Sequence, residues 1–117
     1  MLKTITTELS MSNFTMLLKN NPGFLIIKLG AEWCEPCKRI EKNIEKWFSI
    51  MPNYIQTVLL DIDISCNVYS HLKKKRMLNG IPAILLYIKG NDTIIPDEII
   101  NSSNINEIDT FFKKFTT

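Results

Sequence analysis

The run Phe24-Leu25-Ile26-Ile27-Lys28-Leu29-Gly30-Ala31 leads directly into Trp33-Cys34-Glu35-Pro36-Cys37-Lys38, and a helical pattern begins at once. This junction constrains the fold more than any other stretch. A nearly continuous apolar run of that length reads as a strand buried on both faces, the kind found inside an α/β sheet. Cys37, Ile40, Ile44, Trp47 and Phe48 then recur at helical spacing, predicting a helix over 34–50. Pro36 falls in its first turn, where the missing N–H costs nothing. The first cysteine therefore sits at a helix N-terminus, where unpaired N–H groups and the helix dipole favour a thiolate. A thiolate is the form that attacks disulfides, so the pair reads as a redox dithiol.

The rest of the chain extends the same architecture. Residues 2–6 suit a short edge strand, and Ser12 is the expected N-cap of a helix over 13–19 that ends at Asn20-Asn21-Pro22-Gly23. A second strand is expected over 55–64. A helix capped by Ser65 should run to about Leu78 and stop at Asn79-Gly80. A strand over 83–88, a turn at Lys89-Gly90-Asn91-Asp92 and a partner strand from Thr93 make a hairpin. A last amphipathic helix over 104–115 turns Ile105, Ile108, Phe111 and Phe112 inward. The order is β-α-β-α-β-α-β-β-α, an α/β domain in which a central mixed β-sheet is flanked by helices.

Composition narrows the function classes. With 117 residues, 45% hydrophobic and 22% charged, the chain suits one soluble domain spanning 1–117. A formal charge of +2 gives no reason to expect nucleic acid or a membrane surface as partner. The N-terminus lacks an apolar h-region, and no run is long enough to span a bilayer. An odd count of three cysteines fits a reactive pair plus a spare in a reducing compartment. The expected location is cytoplasmic. An excess of Lys over Arg, with many Ile and Asn, fits an AT-rich genome of the kind some protists and large DNA viruses carry, which would add a host cytoplasm or a virion.

Two motifs in order resemble the thioredoxin family. Ala31-Glu32-Trp33-Cys34-Glu35-Pro36-Cys37-Lys38 is similar to its active-site motif, and Gly80-Ile81-Pro82 is similar to its second signature, a cis-proline facing the dithiol. Asp61-Ile62-Asp63 and Tyr87-Ile88-Lys89-Gly90 also fall where the family has such segments, so the resemblance covers essentially the whole chain. It implies a thioredoxin fold and a monomer that reduces protein disulfides without metal or organic cofactor. It makes Cys34 the exposed nucleophile and Cys37 the buried resolving thiol. Trp33, Ile81 and Pro82 would form the groove for the substrate chain, with the backbone of Ile81 available for strand-like pairing. Disulfide-containing proteins would be the substrates, and a thiol reductant such as a thioredoxin reductase or glutathione would recycle the pair.

Several positions depart from the family pattern. Glu35 replaces a glycine, and its carboxylate should disfavour the Cys34 thiolate. Lys28 stands where the family has a buried acid; it either snorkels to the surface or lies under the site and tunes it. Lys42 replaces a proline, Ser102 a glycine, and the segment from Asp63 to Pro82 is about four residues longer. Together with Glu35, Pro36 and Lys38, Lys28 is a candidate for setting redox poise.

Other readings compete. A zinc site would recruit Cys66 and His71, but on one helix five residues apart they point about 140° away from each other. Cys66 suits a small apolar filler, and Lys73-Lys74-Lys75-Arg76 a solvated helix face or an acidic partner's dock. The departures also suit a protein-binding module with little redox turnover, or a disulfide oxidase or isomerase.

Overall fold

In the computed structural model, which describes residues 2–6, 8–74 and 80–116 (of Cys66 the backbone alone), Phe24–Gly30 forms β1 at the middle of the sheet. The parallel strand β2 (Ile55–Asp61) lies on one side of it. The antiparallel strand β3 (Ala83–Ile88) lies on the other, with β4 (Glu98–Ile100) beyond, in the order β2-β1-β3-β4. The interior position explains the composition of β1: Leu25, Ile26, Ile27 and Leu29 have no exposed surface.

Strand alternation divides the core into two layers. Leu25, Ile27 and Leu29 face Phe14 and Leu18 of α1 (Met11–Lys19) together with Val68 and Leu72 of α3 (Cys66–Lys74). Ile26 turns to the opposite face, where α2 (Glu35–Phe48) and α4 (Ile105–Lys113) cover the sheet through Ile40, Ile44, Phe48, Ile108 and Phe112. Lys28 shares the α2 face by the same alternation. Trp47 joins the two helices, stacking on Phe112 and donating to Asp109 Oδ1 at 2.7 Å. Asn43 donates to the same oxygen at 3.0 Å, and the two hydrogen bonds hold the Asp109 carboxyl below the usual carboxylate range. None of these helices is long and apolar enough to cross a membrane.

Several expected boundaries move, each for a local reason. The cap of α1 is Ser10, not Ser12: its hydroxyl accepts from the Asn13 N–H at 3.1 Å, and the helix starts at Met11. The expected N-terminal strand contracts to a single parallel bridge between Ile5 and Val58. The chain then leaves the sheet, and the Leu9 N–H reaches the Ser65 hydroxyl at 2.9 Å. β2 ends at Asp61 rather than 64 because Asp61 builds a turn. Its Oδ1 accepts from the Asp63 N–H at 2.8 Å and its carbonyl from the Ser65 N–H at 2.8 Å. α3 starts after Ser65, whose carbonyl accepts from the Tyr69 N–H. Its expected end at Leu78 and Asn79, and Lys75 and Arg76 of the basic run, lie outside the described residues.

β4 starts at Glu98, not Thr93. Asn91 Oδ1 accepts from the Thr93 N–H at 2.9 Å, and Asp97 Oδ2 accepts from the Ile88 N–H at 2.7 Å. These side chains occupy backbone groups that a longer ladder would need. Ile105, expected inward, is exposed at the first residue of α4, where Asn104 Oδ1 caps the helix by accepting from the N–H groups of Asn106 and Glu107. Gly23 is required where the chain enters β1, since a Cβ there would meet the Tyr54 carbonyl oxygen at 2.7 Å.

Candidate active site

Cys34 is the N-cap of α2, with extended backbone (φ −89°, ψ 104°). Its Sγ accepts from the Cys37 N–H at 3.2 Å and its carbonyl from the Lys38 N–H at 3.2 Å. A sulfur thus takes the place usually held by a serine or aspartate oxygen. The two cysteines lie one helical turn apart, with Cα atoms separated by 5.2 Å, and are joined as a disulfide. The expectation of an exposed Cys34 is corrected in this state. With the disulfide formed, Cys34 is 4% exposed and Cys37 2%. What separates the two cysteines is position: Cys34 caps the helix, whereas Cys37 faces the interior from its first turn.

Trp33 is 66% exposed, and its indole Nε1 donates to Asp63 Oδ2 at 2.8 Å. The turn after β2 thereby fixes the ring beside the dithiol. Leu29 of β1 pairs with Ala83 of β3, which brings Pro82 opposite Gly30 at the sheet end that leads to Cys34. The Ile81–Pro82 peptide is cis. Asn101 steadies this segment, donating to the carbonyls of Gly80 at 2.8 Å and Pro82 at 3.2 Å. Pro82 is buried and Ile81 half-buried. Glu35 and Lys38 are exposed, and Pro36 is half-buried in the first turn of α2.

Lys28 is half-buried and turns inward of the site. It lines a cavity of about 530 Å³ together with Gly30, Cys37, Lys38 and Glu41. Burial pushes its ammonium below the ordinary lysine pKa, and the carboxylate of Glu41 partly opposes that shift. His71 is exposed on α3. Among the described residues no group of three or more His, Cys, Asp or Glu side chains is placed to hold a metal ion.

Glu41 and Asn101 of the site were not singled out from sequence, and Asp63 was noted only within the segment Asp61-Ile62-Asp63. Glu41 had a local signal, since it follows Cys37 by four residues and shares its helix face. Asp63 and Asn101 act across separations of 30 and 19–21 residues, beyond any local pattern.

Comparison with known proteins agrees with this geometry. The family model described as Thioredoxin matches residues 5–114. The chain is 28% identical over 91 residues to Thioredoxin 3 of Plasmodium falciparum, covering 78% of itself and 47% of that protein. It is 31% identical over 83 residues to a thioredoxin of Buchnera aphidicola, covering 68% and 70%. With Protein disulfide isomerase-like 1-5 of Oryza sativa the identity is 29% over 101 residues, which is 86% of this chain and 18% of that one. The chain therefore spans about half the length of the first of these relatives and under a fifth of the rice protein. Among solved structures, thioredoxin of Trichomonas vaginalis superposes with a TM-score of 0.75 at 18% identity, covering 96% of each chain. Plasmodium falciparum thioredoxin gives 0.73 at 22%, covering 98% of this chain and 90% of that one. At such identities the structural likeness speaks for the fold alone.

Proposed function

The chain belongs to the thioredoxin family, and on that premise we propose that it is a thiol–disulfide oxidoreductase that reduces protein disulfides through Cys34 and Cys37. The observation that carries this reading is the Cys34 sulfur at the N-cap of α2, accepting from the Cys37 N–H at 3.2 Å. In the reduced chain the same position stabilises a thiolate. A helix terminus contributes about 0.3–2 kcal/mol to a charge placed there. The exposed carboxylate of Glu35 opposes it, but solvent screens that like charge to about 1 kcal/mol or less. The helix end and Glu35 therefore act on the thiolate with opposite sign and comparable size.

The Cys34 thiolate attacks one sulfur of a substrate disulfide, forming a mixed disulfide and expelling the other substrate sulfur as a thiolate. Cys37 then attacks Cys34 Sγ, closes the Cys34–Cys37 bond and releases the second substrate thiolate. Two electrons pass from the dithiol to the substrate, and the released thiolates take up protons from solvent. Trp33, Ile81 and Pro82 form the apolar rim that receives the substrate chain. Recycling needs a thiol reductant, which fits a reducing compartment such as the cytoplasm.

Cys37→Ser tests this sequence of steps. The variant is expected to form a stable covalent adduct with insulin, used as a disulfide-bearing probe, through Cys34. The adduct should be visible on non-reducing electrophoresis and dispersed by dithiothreitol. Absence of any adduct, with the fold intact by circular dichroism, would contradict the proposal.

A further inference from the structure

Lys28 sits on the α2-facing side of β1 between Leu59 of β2 and Ile84 of β3, with no ion pair among the described residues. A half-buried ammonium without a close ion pair, opposed only by the exposed Glu41 carboxylate, costs stability, so its place needs a reason. Its side chain runs along the strand toward Gly30. A Cβ on Gly30 would lie 2.8 Å from Lys28 Nζ and 3.6 Å from Cys37 Cβ. The ammonium and the interior cysteine therefore flank the same spot, which the missing Cβ leaves free.

The other charged groups around this cavity are Glu32, Lys38, Glu41 and Glu45, all exposed, and Asp61 at the end of β2, half-buried. Solvent screens the exposed ones strongly. Lys28 is the half-buried cation among them, and its field on Cys37 is the least screened of the positive charges.

We propose that Lys28 is a positioning residue for the resolving step: its ammonium is the counter-ion of the Cys37 thiolate. The inference rests on the thiol–disulfide reading above. In the disulfide state Cys37 carries no charge, and the exposed Glu41 carboxylate only partly compensates the lysine. In the mixed disulfide, Cys37 loses its proton to solvent, and the resulting thiolate pairs with Lys28. That thiolate attacks Cys34 Sγ, the Cys34–substrate bond breaks, and the substrate leaves as a thiolate. The lysine stays protonated throughout and supplies charge, not a proton.

The direct test uses a Cys34→Ser, Cys66→Ala background, in which Cys37 is the one thiol left of the three. Titration of thiolate ultraviolet absorbance reads its pKa. Lys28→Met is expected to raise it by about one unit, as loss of a nearby opposite charge does, while Lys28→Arg keeps it near the parent value. Gly30→Ala, whose methyl displaces the flexible lysine tip, should give an intermediate shift. In the chain with Cys34 restored, Lys28→Met should slow release of a preformed mixed disulfide about threefold to tenfold at neutral pH. That difference should vanish once the pH is high enough to ionise Cys37 in both proteins. Lys28→Met should also resist urea at least as well as the parent, since it removes a half-buried charge. Equal Cys37 titration in the parent and Lys28→Met proteins would overturn the proposal. If the parent forms no mixed disulfide, the dithiol reading fails instead, and the titration still decides the role of Lys28.

Discussion

Cys34→Ser is expected to reduce insulin at the background rate, a loss of more than about a thousandfold relative to the parent. The reason is chemical, not structural. A serine hydroxyl still caps α2 well, so the helix start and the fold survive. What disappears is a sulfur that the N–H groups at the helix end can hold as a thiolate at neutral pH. The assay follows insulin reduction with dithiothreitol as the recycling reductant, alongside urea unfolding to confirm that the variant is folded. Retention of turnover within about tenfold of the parent would mean that Cys34 is not the attacking group.

The largest effect on stability is expected from Phe112→Ala, at about 3–5 kcal/mol. Phe112 is fully buried, with Trp47 stacked on it at 5.6 Å and Phe48 and Phe111 edge-on at 6.0 and 5.1 Å. α4 has nine residues, too few to be stable alone, so it is held by packing on α2 and on the sheet, in which Phe112 takes part. Against a typical total of about 5–15 kcal/mol, the loss is a large fraction of the whole. Urea unfolding followed by tryptophan fluorescence reads both the stability and the state of Trp47. A loss below about 1 kcal/mol would show that the α2–α4 face does not depend on this ring.

What was legible in sequence follows from which forces act locally. The apolar run of β1 is readable because both of its faces are covered, and the start of α2 because Cys34, Pro36 and the helical spacing all mark one boundary. The α/β class follows from those elements and their order, and the thioredoxin fold from the resemblance carried by the Ala31–Lys38 and Gly80–Pro82 motifs. The errors come from side chains that compete with the backbone. Asn91 and Asp97 take up hydrogen-bonding groups of the hairpin and delay β4 to Glu98, while Ser10 captures the helix start expected at Ser12. Within the site, Cys34, Cys37 and Trp33 were legible from one hexapeptide. The place of Lys28 was not, because it depends on where α2 lies across β1 and on the space left at Gly30. The braces Asp63–Trp33 and Asn101–Pro82 connect parts of the chain that only the tertiary fold brings together.

The central claim is that Cys34 and Cys37 form a reversible dithiol–disulfide couple poised to reduce substrates. Equilibrating the protein with defined thiol buffers and quantifying the Cys34–Cys37 disulfide tests it most directly. The expected result is a single two-electron transition within about −270 to −200 mV, the span of reducing dithiol proteins. A chain that forms no reversible disulfide, or one whose midpoint falls near about −120 mV, where the pair would oxidise its partners, would contradict it.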